Sequence, residues 1–228
     1  MYANFVQSID GVVAIPGVAS AGSLISGKNA ADRLVMALLR AAADCVLMGA
    51  GTMRATPGHL WTAAHVFPSL AEAFAAMREV HGQAPDPRLV VLTRSGDIDA
   101  THPAAAGATF LTTRGGAARL EPRLPAESEV VVLGDEAVDL ADALTWIRGR
   151  GWARVLSEAG PHVMAQLVDA SLVQDVFVTV SPLLAGRSEA EPRPGLAHGI
   201  ALLPGRRVEA RLEAARRHGD YLFLRYSL

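Results

Sequence analysis

Short apolar runs recur along the chain at residues 2–7, 45–48, 89–92, 130–133, 154–156 and 176–180. The last five are continuous rather than alternating, the pattern of strands covered on both faces, and 2–7 is a weaker run of the same kind. Helical spacing fills the gaps. Ser26 is placed to cap a helix whose apolar face is Leu34, Val35, Leu38, Leu39 and Ala42. Ser69 and Glu72 have capping-box spacing and open a helix carrying Leu70, Phe74 and Met77. Asp139 opens a helix over 140–150 that turns Leu144 and Ile147 inward and ends at Gly151. Gly160-Pro161 opens another with Val163, Met164, Leu167 and Val168, since proline suits a first helical turn. Near the end the period changes. Residues 208–216 and 221–226 alternate about His218-Gly219-Asp220, a hairpin signal. Strand and helix alternating in this way predict an α/β fold: a mostly parallel central sheet flanked by helices, with an antiparallel C-terminal hairpin. No repeat or charge block interrupts it. The Pro/Gly-rich stretches 56–68 and 185–206 read as long surface loops, so one domain over 1–228 is expected.

Composition narrows the partners. Lys and Arg number 21 against 23 Asp and Glu, so no basic excess points to nucleic acid. Lys28 is the one lysine; the positive charge is otherwise arginine. The lone Cys45 excludes an intramolecular disulfide and a cysteine-based zinc cluster, and its place in an apolar run reads as core packing. No run reaches the ~20 apolar residues of a membrane span, and the first residues lack a leader's basic and apolar regions, so a cytoplasmic setting is expected.

In such sheets ligands sit beyond the carboxyl ends of the strands. Four loops there are small or polar: Gly49-Ala50-Gly51-Thr52, Thr93-Arg94-Ser95-Gly96, Thr112-Thr113-Arg114-Gly115-Gly116 and Ser157-Glu158-Ala159-Gly160-Pro161. Small residues admit a ligand close to the backbone, and free N–H groups at a helix start suit phosphate. The last loop is the best candidate, although an ordinary strand–helix turn has the same spacing. Gly49–Thr52 lacks the third glycine of a dinucleotide fingerprint, and no P-loop run exists. Arg94 and Arg114, beside hydroxyls, suit a ribose 2′-phosphate, as either also suits a plain solvated surface. The seven histidines show no metal spacing, and His162 stands just inside the 161 helix start. No Gly-x-Ser-x-Gly elbow supports a serine hydrolase. Asp10, in Ser8-Ile9-Asp10-Gly11, offers a carboxylate to a polar ring or makes an Asp-Gly turn.

Several of these segments together resemble the reductase domain of the riboflavin-pathway bifunctional deaminase/reductase, in the dihydrofolate-reductase-like superfamily. They are residues 8–14 (SIDGVVA), 43–55 (ADCVLMGAGTMRA), 156–161 (LSEAGP), the strand ending Ser181-Pro182-Leu183-Leu184-Ala185-Gly186, and 220–226 (DYLFLRY). Order and spacing hold across nearly the whole chain. The resemblance implies an NADPH-dependent oxidoreductase passing hydride to a heterocycle: a riboflavin-pathway pyrimidine such as 5-amino-6-ribosylamino-uracil phosphate, or a pterin- or folate-like compound. It implies cofactor contacts at Ala14, Gly49, Gly51, Thr52, Thr93, Arg94, Ser95, Thr112, Glu158, Ala159, Gly160 and Pro161. It places substrate beside Asp10, Thr56 and Ser181, with Asp10, Glu158 or water as proton donor. The bends at 49–52 and 157–161 would form one cradle for the dinucleotide, and a homodimer is implied. Two departures stand out. Ala55-Thr56-Pro57 replaces the family's acidic pair before proline, and Ala159 replaces a glycine. The zinc deaminase signature is absent from the sequence. Two other readings remain: a non-catalytic NADP-binding or regulatory protein on the same fold, and a nucleotide-binding transferase.

Overall fold

A computed structural model describes all of Met1–Leu228. In chain order its elements are β1 (Tyr2–Gln7), α1 (Ala21–Ile25), α2 (Ala30–Ala42), β2 (Cys45–Gly49), α3 (Ala50–Ala55), α4 (Ala63–Val66), α5 (Ala71–Val80), β3 (Arg88–Thr93), β4 (Thr109–Thr112), α6 (Arg114–Leu120), β5 (Glu129–Val132), α7 (Leu140–Gly149), β6 (Val155–Ser157), α8 (Pro161–Asp169), β7 (Asp175–Val180), β8 (Arg211–His218) and β9 (Tyr221–Ser227). Short 3₁₀ turns occupy Pro68–Leu70 and Pro103–Ala105. The chain divides into two compact units: Met1–Arg33 with Ser157–Leu228, and Leu34–Leu156.

In the second unit β2, β3, β4 and β5 pair parallel in that order, with Met48 opposite Val91, Val90 opposite Thr109 and Phe110 opposite Val130. Every residue of β2 is buried, as a strand covered on both faces requires. The pairing sets the carboxyl ends of all four strands on one side. Under the helices, Ala37 and Ala41 of α2 pack with Ala63 and Phe74, joined by Leu34, Phe67 and Met77. Arg78 is buried there too. It donates to the carbonyls of Ala41 at 2.9 Å, Ala43 at 2.7 Å and Ala84 at 2.7 Å, satisfying the end of α2.

In the first unit β1 pairs parallel with β7, β7 antiparallel with β9, and β9 antiparallel with β8. The pairings are thus mostly parallel, and the C-terminal hairpin is antiparallel, as the sequence pattern predicts. Gly219 makes the hairpin turn with φ at +57°, a left-handed conformation that glycine adopts without steric penalty.

Local details differ from the sequence reading. Asn29, not Ser26, caps α2: its Oδ1 accepts from Ala31 N–H at 2.9 Å and Asp32 N–H at 3.2 Å. Ser26 instead ends α1. The buried face of α2 runs through Ala37, Arg40 and Ala41, while Leu38 is 46% exposed. Small residues win there because Phe74 needs close approach. Ser69 caps nothing; Pro68 begins a 3₁₀ turn, and α5 starts at Ala71 without a side-chain cap. The 56–68 stretch holds α4, and β8 begins at Arg211, three residues after the predicted start at 208. Asp139 does cap α7, accepting from Ala141 and Asp142.

Candidate active site

The four parallel strands of the second unit deliver their loops to one side. Gly49 is the N-cap of α3 and offers no side chain to cap it. Gly51 is exposed, and a Cβ built on it would meet nothing within 4 Å. Thr52 is half-buried, and its carbonyl accepts from the Thr56 hydroxyl at 2.8 Å. That bond turns Thr56, expected at the substrate, back onto its own helix.

The loops after β3 and β4 are locked to each other. Thr93 Oγ1 accepts from Gly96 N–H at 3.1 Å. Thr113 Oγ1 accepts from Gly116 N–H at 3.1 Å and donates to Arg94 O at 2.8 Å. A Cβ at Gly116 would overlap Thr112 Oγ1 and lie 2.8 Å from Arg94 O, and one at Gly96 would lie 2.5 Å from Gly116 O. These glycines serve close loop packing, and the first turn of α6 is capped from within. Arg114 pairs with Asp135 at 2.9 Å on the surface. Arg94 and Ser95 are exposed. Thr112 is fully buried, and its hydroxyl has no hydrogen-bond partner.

In the first unit, Ser157 ends β6 and its Oγ accepts from Ala159 N–H at 3.5 Å. Gly160 precedes α8, which has Pro161 in its first turn and no side-chain cap. The starts of α3 and α8 therefore lack the side-chain acceptors that close α6 and α7. His162 is exposed and packs edge-on against His198, ring centres 4.8 Å apart.

Asp10 closes a different corner. Ser8 Oγ donates to its carboxylate at 2.6 Å, and Ala185 and Gly186 N–H donate at 3.0 and 2.8 Å. Ile9 N–H reaches Leu183 O at 2.9 Å and Val13 N–H reaches Pro194 O at 3.0 Å, so the segment leading to Ala14 is knitted to the 183–194 loop. The Ser8 hydrogen bond, with the two amides, holds the Asp10 carboxyl at about 2. These donors favour its ionised form. In this setting the Asp10 carboxylate acts as a hydrogen-bond acceptor. Ser181 begins the loop Asp10 anchors; it is fully buried and its hydroxyl has no partner.

Sequence reasoning missed Asp32. Its carboxyl is 5% exposed and hydrogen-bonded to the Ser26 and Thr179 hydroxyls. Burial raises its pKa, and the charge of Glu158 adds to the rise. An acid in a first helical turn looks like an ordinary partner of the helix dipole. The available signal was its position on the face shared with Val35, Met36 and Leu39 at i+3, i+4 and i+7.

In the second unit an unfilled space at Gly51, an exposed arginine at 94, the uncapped start of α3 and an orphaned buried hydroxyl at Thr112 suit phosphate and hydroxyl groups in kind; in the first unit the start of α8 is likewise uncapped. Residues 1–210 match the RibD C-terminal domain family. The chain is 25% identical over 196 residues to the chloroplastic riboflavin biosynthesis protein PYRR of Arabidopsis thaliana, covering 84% of this chain but 29% of that protein's length. It is 25% identical over 190 residues to the 2,5-diamino-6-ribosylamino-4(3H)-pyrimidinone 5′-phosphate reductase of Archaeoglobus fulgidus, covering 78% of each. A pyrimidine reductase-like protein from Corynebacterium diphtheriae shares the fold, with TM-score 0.77, 19% identity and coverage of 99% of this chain and 90% of that one.

Proposed function

The chain belongs to the RibD C-terminal domain family, and from that premise we propose that it is an NADPH-dependent reductase of a ribosylamino-pyrimidine phosphate. One observation carries the reading. The loops that match the family's cofactor segments include two helix starts whose N–H groups have no side-chain acceptor, whereas the helix starts at α6 and α7 are capped from within. Uncapped N–H groups with a favourable dipole are what a pyrophosphate binds.

The cofactor supplies the hydride when bound. The chain's part is to hold and orient. Gly51 and Thr52, and Ala159 and Gly160, would hold the phosphates through backbone N–H groups, with Gly49, Glu158 and Pro161 beside them. Thr93, Arg94, Ser95 and Thr112 would meet the adenosine end. Ala14 would meet the nicotinamide amide through its backbone. Asp10 and Ser181 would bind the pyrimidine. The homodimer and the cytoplasmic setting belong to the same reading; the hairpin leaves Leu212, Leu222 and Leu228 exposed for such an interface.

Thr56 favours a second reading. Its hydroxyl is engaged with Thr52 O, and no acid stands where the family carries a pair. A non-catalytic NADP-binding protein would tolerate that loss. The test is direct. The purified protein is titrated with NADPH, then assayed for NADPH oxidation with the 2,5-diamino-pyrimidinone and the 5-amino-uracil forms of the ribosylamino phosphate. Turnover of either supports the reductase. Binding without turnover of either selects the non-catalytic reading, and no NADPH binding at millimolar concentration removes both.

A further inference from the structure

The second unit carries a groove at the end opposite its phosphate-type loops. α5 and α7 finish in the same way: His81 and Arg150 end the helices, and Gly82 and Gly151 follow with φ at +65° and +81°, the left-handed break that closes many helices. The residues after the breaks, Gln83 and Trp152, line one open groove with Asp44, just before β2, and Arg88, the first residue of β3. Its volume is about 460 Å³, within the roughly 300–1,000 Å³ of small-ligand sites. All of its lining falls within Leu34–Leu156. The six residues of β3, about 20 Å of strand, separate it from the 93–96 loop. One wall is fixed by hydrogen bonds. Arg78 donates to the carbonyls of Ala41 and Ala43, and Gln83 Nε2 donates to Ala43 O at 3.1 Å and Asp44 Oδ1 at 3.0 Å. The carbonyl end of α2 is thereby covered with donors, and Gln83 Oε1 is left without one.

The charges around the groove are uneven. Three guanidinium groups, of Arg78, Arg88 and Arg154, line it against the single carboxylate of Asp44. That carboxylate is already engaged, accepting from Arg154 N–H at 2.8 Å and Arg154 Nη2 at 3.0 Å. Arg88 stands exposed. A cation at a helix end answers the dipole, as Arg78 does; Arg88 starts a strand and Arg154 precedes one, so neither has a helix end of its own to serve. Trp152 adds a ring. It meets Trp146 edge-on at 6.0 Å, the apolar contact that often accompanies such a helix end, yet it remains half-buried. At both rims there is room, since a Cβ on Gly82 or Gly151 would meet nothing within 4 Å. We propose that this groove is a second ligand site, separate from the candidate active site, and that it takes a heteroaromatic ring carrying a phosphate. The ring lies against Trp152, and the Arg88 guanidinium takes the phosphate, whose oxygens match its fork of donors. The site does not depend on the reductase reading.

The test needs neither turnover nor NADPH. Calorimetric titration of the whole chain with uridine 5′-monophosphate and with flavin mononucleotide should show saturable binding of at least one of them by millimolar concentration. Uridine and riboflavin, the same rings without phosphate, should bind at least about tenfold more weakly than their phosphates. Arg88→Glu, a change at an exposed side chain, should weaken the phosphorylated probe by at least about tenfold, the loss of one charge-assisted contact. Trp152→Phe keeps a ring and should keep binding, but the probe's quenching of tryptophan fluorescence should shrink. Arg94→Ala, at the far end of β3, should change nothing. No saturable binding of either probe overturns the proposal, and so does binding that Arg88→Glu leaves intact. Equal affinity for the rings with and without phosphate overturns it as well. Binding lost in Arg94→Ala and kept in Arg88→Glu puts the probe at the 93–96 loop, with the same consequence.

Discussion

Two aspartates of the first unit are shifted in opposite directions for reasons that can be read atom by atom. Asp10 meets three donors, a hydroxyl and two amides, and is held at about 2. Asp32 meets two hydroxyls and little water, so burial dominates and the acid form is favoured. Asp10 accepts and organises the 185–186 loop, whereas Asp32 is held inside by two hydroxyls. Arg94 sets a third question at this scale. It is exposed, while Arg114 is engaged with Asp135 at 2.9 Å. A guanidinium on a 2′-phosphate is a charge-assisted contact worth about 1.5–3 kcal/mol. Arg94→Ala is therefore expected to weaken NADPH at least ~10-fold by fluorescence titration and to leave NADH nearly unchanged. Equal loss for both cofactors would take Arg94 out of that role. Arg114→Ala should change neither.

At the scale of elements, two glycines that look alike in sequence do opposite jobs. Gly51 lies in α3 with open space where its Cβ would go, whereas Gly116 in α6 has Thr112 Oγ1 and Arg94 O against that position. Gly51→Ala should stabilise the protein by about 0.5–1 kcal/mol, the usual gain for alanine over glycine in a helix, while weakening NADPH. Gly116→Ala should destabilise it by about 1–3 kcal/mol through overpacking. Thermal melts with and without NADPH check both, and a Gly51→Ala variant of undiminished NADPH affinity would move the phosphates elsewhere. The contrast shows what the sequence carries. Continuous apolar runs located the six strands to within a residue or so, but they overstated burial: β2 and β6 are buried throughout, whereas β7 alternates and β5 is only half-buried. In β4, Thr-Phe-Leu-Thr, threonines flank just two apolar residues, so no run stands out. Asp139 and Gly160-Pro161 were legible because their signals are local. Ser26 and Ser69 failed because capping competes with neighbours: Asn29 stands nearer the start of α2, and Pro68 starts a turn before Ser69 can act. The orphaned hydroxyls of Thr112 and Ser181 depend on what folds against them, and no spacing rule reports that; Asp32 had its helical spacing as a signal.

For the molecule as a whole, each unit carries its own optical reporter. Trp61, Trp146 and Trp152 all fall within Leu34–Leu156, whereas Tyr2, Tyr221 and Tyr226 fall in the other unit. The second unit also holds the group that should govern its response to acid. The ring of His59 packs edge-on against Trp61 and His65, with centres 4.9 and 4.8 Å away. Its Nε2 lies 3.0 Å from Nη2 of the buried Arg40. A guanidinium only donates, so this nitrogen must present a lone pair and the ring must be neutral. Burial first, and then the charge of Arg40, push its pKa down from 6.5 to about 3. The unfolded histidine takes up a proton below 6.5 and the folded one does not until about 3. Stability from this site is therefore present above 6.5 and lost as pH falls toward 3, with a slope of at most about 1.4 kcal/mol per pH unit, less for whatever water reaches the ring. Asp10 adds a loss in the same direction only below 3.8. Asp32, with a raised pKa, contributes stability that is present below 3.8 and fades as pH rises through its folded value; both belong to the tyrosine-reporting unit. Urea unfolding followed by tryptophan fluorescence should thus show a midpoint that drops between about pH 7 and pH 5. His59→Gln, whose side-chain oxygen still accepts from Arg40 but binds no proton, should flatten that drop. An unchanged slope in the glutamine variant would show that His59 titrates freely and that its bond to Arg40 does not survive in solution.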